Sequence, residues 1–225
     1  MVEAAHFFGK MKKQKQENEM QDNLIVRILT RMFDLLLLNI LWILFCIPIF
    51  TIGASTTALY SVMLKLVENE EGYIMKDFVR GFKRNFRQST IVWSILAVVG
   101  GLIVGDFFAI HKLQMETSVI ANILLGTVSL LFLLELIFIF PLIARFENTT
   151  VNMFKNAILI PVSQLPYAVF VLFLTVLCIG ATFLNIRTML FGSVIWSLIG
   201  GALLAYANSL LVRKMFQPFE EKEEE

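Results

Sequence analysis

Long apolar runs decide what this chain can become. Residues 33–50, 91–110, 119–142, 158–179 and 190–212 each meet or approach the roughly 18–20 apolar residues that a helix needs to cross a bilayer. Five such runs in 225 residues are too many for one water-soluble core, and the balance of 57% hydrophobic against 16% charged residues, with a mean hydropathy of +0.75, agrees. The expected fold class is all-α, a polytopic transmembrane helix bundle.

Charge placement sets the expected topology. Six basic residues (Lys10, Lys12, Lys13, Lys15, Arg27 and Arg31) precede the first run, and six more (Lys65, Lys76, Arg80, Lys83, Arg84 and Arg87) lie between it and the second. The turn around Lys112 carries one. Lysine and arginine collect on the cytoplasmic side, so an even number of crossings must separate the two basic regions. The stretch "PIFTIGASTTALYSVMLKLV" (48–67) must therefore either recross the membrane or close a re-entrant hairpin that never fully exits. Pro48 and Gly53 break the first helix, and Ser55 or Thr56 can cap the next. The favoured reading has six crossings, at about 33–50, 54–67, 90–110, 118–142, 158–179 and 189–212, with five as the alternative. These form one transmembrane domain over 32–213, between a hydrophilic cytoplasmic leader (1–31) and an acidic cytoplasmic tail (214–225) whose helix ends at Pro218. Both termini are expected in the cytoplasm, and the polar leader is too long for a secretory signal.

An amphipathic helix is expected over residues 73–88. At 100° per residue from Lys76, the basic residues Lys76, Arg80, Lys83, Arg84 and Arg87 fall within about −20° to +80°. Ile74, Met75, Phe78, Val79, Phe82 and Phe86 fall at about 160° to 300°. Such a helix fits the headgroup plane, with phenylalanines in the acyl boundary and cations on anionic headgroups, or it docks a cytoplasmic partner. A weaker copy follows in "FENTTVNMFKNAI" (146–158), where "FEN" echoes "VEN" at 67–69. Small residues at four-residue spacing, Ser193, Ser197, Gly201, Ala205 and Ser209, and likewise Gly101 and Gly105, suit close helix contacts within the chain or in a homo-oligomer.

Chemistry has few footholds. Cys46 and Cys178 are far apart inside apolar segments, and His6 and His111 form no cluster, so no metal is expected. Nineteen basic against eighteen acidic residues give no nucleic-acid signature. The ionisable residues inside the runs are Asp34, Asp106 and Glu135. Asp34 has Arg31 one turn earlier, and Asp106 lies near His111 and Lys112 at the outer end. Glu135, in "LLFLLELIFIF", must face the bundle interior, with Lys65 or a backbone carbonyl as partner. No paired aspartates in protease form, no nucleophile beside a base and no phosphate-binding loop occur, so neither enzyme activity nor a cofactor is expected.

The block 34–93, with Asp34, Asn39, the Pro-Ile before "TIGASTTALY" and the aromatic-basic helix, resembles the signature region of the YesL family of bacterial integral membrane proteins. The resemblance extends more diffusely over about 20–215. It implies a multi-pass protein of the bacterial cell membrane with no established biochemical function and no catalytic residues to carry over. Members are often encoded beside carbohydrate-uptake ABC transporters, which implies an accessory or scaffold role in sugar uptake. The alternative is a transport subunit with Glu135 lining a path; "ENTTVNMFKNAILIP" (147–161) only partly matches the loop a permease offers its ATPase.

Overall fold

The computed structural model describes residues 25–70, 72–112 and 119–220, except the His111 side chain. Residues 1–24 of the expected leader, the turn at 113–118 and the tail from 221 lie outside the described residues. Every described element is helical. They are α1 (Ile25–Cys46), a 3-10 turn (Ile49–Thr51), α2 (Ile52–Val67), α3 (Ile74–Lys112), α4 (Val119–Arg145), α5 (Thr150–Ser163), α6 (Leu165–Thr182), α7 (Ile186–Ile195) and α8 (Gly201–Glu220). A π turn, Trp196–Gly200, joins α7 to α8. Six helices are long and apolar enough to cross a membrane: Ile25–Cys46, Ile49–Val67, Ile74–Ile110, Val119–Arg145, Leu165–Thr182 and Ile186–Glu220.

The stretch that was hardest to place in the sequence is the hub. Two thirds (67%) of the apolar window of α2 is buried, against 11–22% in the other five long helices. Its small hydroxylated residues let neighbours close in and supply the bonds that lipid cannot. Ser55 donates to the Trp42 carbonyl, the Trp42 indole donates to Thr56, and Thr57 shares a hydrogen bond of 2.8 Å with Ser89. A Cβ on Gly53 would stand 2.4 Å from the Ser89 carbonyl oxygen, so only glycine permits this approach of α2 to α3.

These contacts also fix directions. α1 and α2 form an antiparallel hairpin, joined at one end by Trp42 to Ser55 and at the other by Arg31 donating to Asn69 at 3.1 Å. α2 ends in a Schellman motif: Asn69 N–H bonds the Leu66 carbonyl, Glu70 N–H bonds the Lys65 carbonyl, and Asn69 takes the left-handed φ of 56°. α3 then returns antiparallel along α2, from Lys65 beside Asp77 to Thr57 beside Ser89 and Ile49 beneath Trp93. α4 runs antiparallel to α3, with Phe132 over Gly100, Phe140 beside Trp93 and the Ala144 carbonyl bonded by Arg84.

Three expected boundaries are corrected. α1 already begins at Ile25, inside the expected leader. The expected span 158–179 is broken at Gln164 (φ −124°, ψ 47°): in a continuous helix Pro166 would leave the Val162 carbonyl without an N–H and clash with it, whereas in the first turn of α6 proline is tolerated. Helix α8 continues through Pro218 to Glu220, with Met215 and Phe216 buried, so the tail does not begin at 214.

The π turn has a specific support. Asn39 on α1, fully buried, donates to the Trp196 and Ser197 carbonyls at 3.0 Å each and accepts from the Ala202 N–H at 2.9 Å. It supplies the partners that a widened i→i+5 turn leaves without.

Candidate functional site: the basic end of the bundle

The basic face of α3 is presented differently from the expected interfacial helix. Phe78 is fully buried, and Phe78 and Phe82 pack edge-on against Phe45 of α1 at 5.4 and 4.8 Å. The aromatic side therefore meets protein, not acyl chains, and the expected placement of those rings in the lipid boundary is corrected. The buried face runs through Phe78, Gly81, Asn85, Ser89, Val92 and Leu96, so polar Asn85 and Ser89 share it. Phe86 and Met75, counted with the apolar face from the sequence, sit at its exposed rim. Lys76, Arg80, Lys83, Arg84 and Arg87 are all exposed on the opposite side, and the bundle holds them in one row.

Below that row, the ends of three helices are tied by ions. Glu68, closing α2, accepts from Arg145 of α4 at 3.1 Å and from Arg213 of α8 at 3.3 Å. Arg145 also donates to Glu220 at 2.6 Å. No short-range sequence signal announces this cluster: Glu68, Arg145 and Arg213 lie 68 to 145 positions apart in the sequence, only folding brings α2, α4 and α8 together, and each charge reads alone as a solvated one. Beside it, Ser61, Leu64, Lys65, Asp77, Arg80, Gly81, Arg84, Ala144 and Arg145 line a cleft of about 240 Å³ between α2, α3 and α4.

The other singled-out residues scatter. Glu135 on α4 is half-buried, and its Oε2 has no hydrogen-bond partner among the described residues. Lys65 is not its partner, because Lys65 lies 3.8 Å from Asp77 at the basic end. Arg31 turns to Asn69, and Asp34 lines a separate groove with it. Asp106 is exposed on the far half of α3. Gly101 and Gly105 meet nothing within 4 Å, so they mark no described helix contact; the glycine under a neighbour is Gly100, a turn of about 100° away on the face toward Phe132. In the last helix Gly201, Ala205 and Ser209 are buried, with Gly201 against Trp42, whereas Ser193 and Ser197 are exposed. The π turn between them adds a residue to one turn and rotates the stripe off a single face. At the start of α5, Thr149 is the N-cap and accepts from the Asn152 N–H, and Asn148 accepts from the Thr149 N–H.

Residues 35–107 match the family model described as "Protein of unknown function, DUF624". The chain is also 28% identical over 144 residues to "Uncharacterized protein YteU" of Bacillus subtilis (strain 168), a match that covers 61% of this chain and 64% of that relative. The chain thus spans less than two thirds of the relative's length. No solved structure matches. The matched segment holds the α1–α2 hairpin's core, the whole basic row and most of α3.

Proposed function

We propose that this chain is a non-enzymatic multi-pass membrane protein of the YesL kind, an accessory or scaffold that works through the basic end of its bundle. The observation that carries the reading is the row Lys76, Arg80, Lys83, Arg84 and Arg87, exposed on a helix whose opposite face is locked into α1 and α2. A helix so anchored loses little conformational freedom when its cations meet an anionic headgroup or an acidic partner surface. On this reading the basic end faces the cytoplasm of a bacterial cell, and the partner is a carbohydrate ABC importer, a link motivated by the company that the resembling family keeps. Mild detergent extraction of the tagged chain from cells grown on an inducing sugar is expected to bring importer subunits with it. Their loss from the Lys83→Gln/Arg87→Gln variant would support the basic row as the contact. Importer subunits absent from the wild-type preparation would refute the link.

The transport-subunit reading has one observation in its favour, the half-buried Glu135 carboxyl with an oxygen lacking a partner among the described residues. Glu135→Gln keeps size and polarity while removing the ionisable group. The accessory reading predicts a variant that folds and fully restores sugar-dependent growth in a deletion strain. A variant that folds but does not restore growth would favour transport.

A further inference from the structure

We infer that the cleft between α2, α3 and α4 is a binding site for a phosphate group, held chiefly by Arg84 and Arg80 with Lys65 beside them. This rests on the reading of the α3 row as an anion-facing surface, and narrows it from a surface to a place. The charges in the cleft do not balance. Lys65 and Arg80 share one carboxylate, Asp77, at 3.8 and 3.3 Å. Arg84 has no carboxylate partner among the described residues; its guanidinium meets only the Ala144 carbonyl, at 3.2 Å. Three cations against one carboxylate leave a surplus of two positive charges. Arg145, the fourth cation on the wall, is already engaged by Glu68 and Glu220, which keeps it fixed and out of that surplus.

Shape and donors fit the same ligand. The cleft volume of about 240 Å³ accommodates a phosphate with its ester group. Gly81 lets α3 close onto α2 beside the cleft, since a Cβ there would stand against the Ser61 hydroxyl. Arg80 and Arg84 lie one helical turn apart on the same side of α3, where two planar forks can grip separate oxygens of one phosphate. Lys76 and Lys83 stand on the same helix outside the cleft, so the site predicts a difference between residues of equal charge.

Phosphate could come from a phospholipid headgroup or from a soluble phosphate, and the test separates the two. The full chain in neutral detergent is titrated with dioctanoyl-phosphatidylglycerol, with dioctanoyl-phosphatidylcholine and with inorganic phosphate, following the thermal midpoint and calorimetric binding. Saturable binding of the glycerol lipid without inorganic phosphate would assign the site to lipid, and the reverse would assign it to a soluble ligand. Arg80→Gln/Arg84→Gln is expected to weaken whichever probe binds by about tenfold or more. Lys76→Gln/Lys83→Gln is expected to stay within about twofold, since it removes the same charge outside the cleft. Should the first double variant not fold, Arg84→Gln alone carries the comparison. Equal loss in both double variants would overturn the site while leaving the basic row as a diffuse cationic surface. Absence of saturable binding by any probe would also overturn it.

Discussion

Asn39 carries no charge, yet its fully buried side chain makes three hydrogen bonds across the bundle. Its amide spends both functions on the π turn between α7 and α8, two carbonyls and one N–H, at full burial. Leucine has the same branched outline but can make none of these hydrogen bonds, so Asn39→Leu strands three backbone groups in an apolar setting. Hydrogen bonds between membrane helices are individually modest, so the expected loss is about 1–2 kcal/mol, seen as a lower unfolding midpoint in detergent. An unchanged midpoint would mean that the π turn is held by its own neighbours. Asn39 drew notice in the sequence through its family context. Nothing there pointed to its partner more than 150 positions away, or to the π turn.

At the scale of the element, α2 and α3 show why some packing was legible and some was not. The 100° periodicity of α3 groups its five cations on one side, where all five are exposed, because charged residues leave a clean angular signature. It misjudged the other face by a few tens of degrees, because Gly81, Asn85 and Ser89 are polar or small and looked indifferent, while α2 presents small and hydroxylated residues to meet them. Small-residue stripes in the sequence alone do not tell a packed glycine from a bare one. Gly53→Ala is expected to destabilise the protein by about 1–3 kcal/mol, because the new methyl would overlap the Ser89 carbonyl and the Trp93 Cβ. Gly101→Ala meets open space and is expected to be neutral or slightly stabilising in the same unfolding measurement. Equal effects at the two positions would contradict the α2–α3 register. Glu135 shows another limit, since its position demanded a buried partner and the fold sends the nearest sequence candidate, Lys65, to Asp77 instead.

At the scale of the molecule, the register of the helices bears on the question that the charge pattern left open. The turn between α1 and α2 lies level with Trp93, whereas α3 runs on for 19 residues to Lys112, about 28 Å farther. The stretch of α3 free of charge, from Gln88 to Gly105, is 18 residues or about 27 Å, close to the thickness of a hydrocarbon core. On that register the α1–α2 turn stands level with Trp93, five residues into the charge-free stretch from its basic end, which keeps the re-entrant alternative beside the full crossing. Both arrangements keep Glu70, Arg145 and Glu220 together at one end, and the account of the anion-facing row depends on that end being cytoplasmic. The direct test is labelling in intact cells by an impermeant thiol reagent, with Cys46 and Cys178 replaced by alanine and single cysteines placed at Glu70, Ile49 and Lys112. The account predicts that Lys112→Cys reacts and that Glu70→Cys reacts only after the membrane is permeabilised, while Ile49→Cys distinguishes a full α1–α2 crossing from a re-entrant hairpin. Labelling of Ile49→Cys from outside would restore a full α1–α2 crossing without moving the basic end, but labelling of Glu70→Cys from outside would place the basic row on the wrong side and contradict the account.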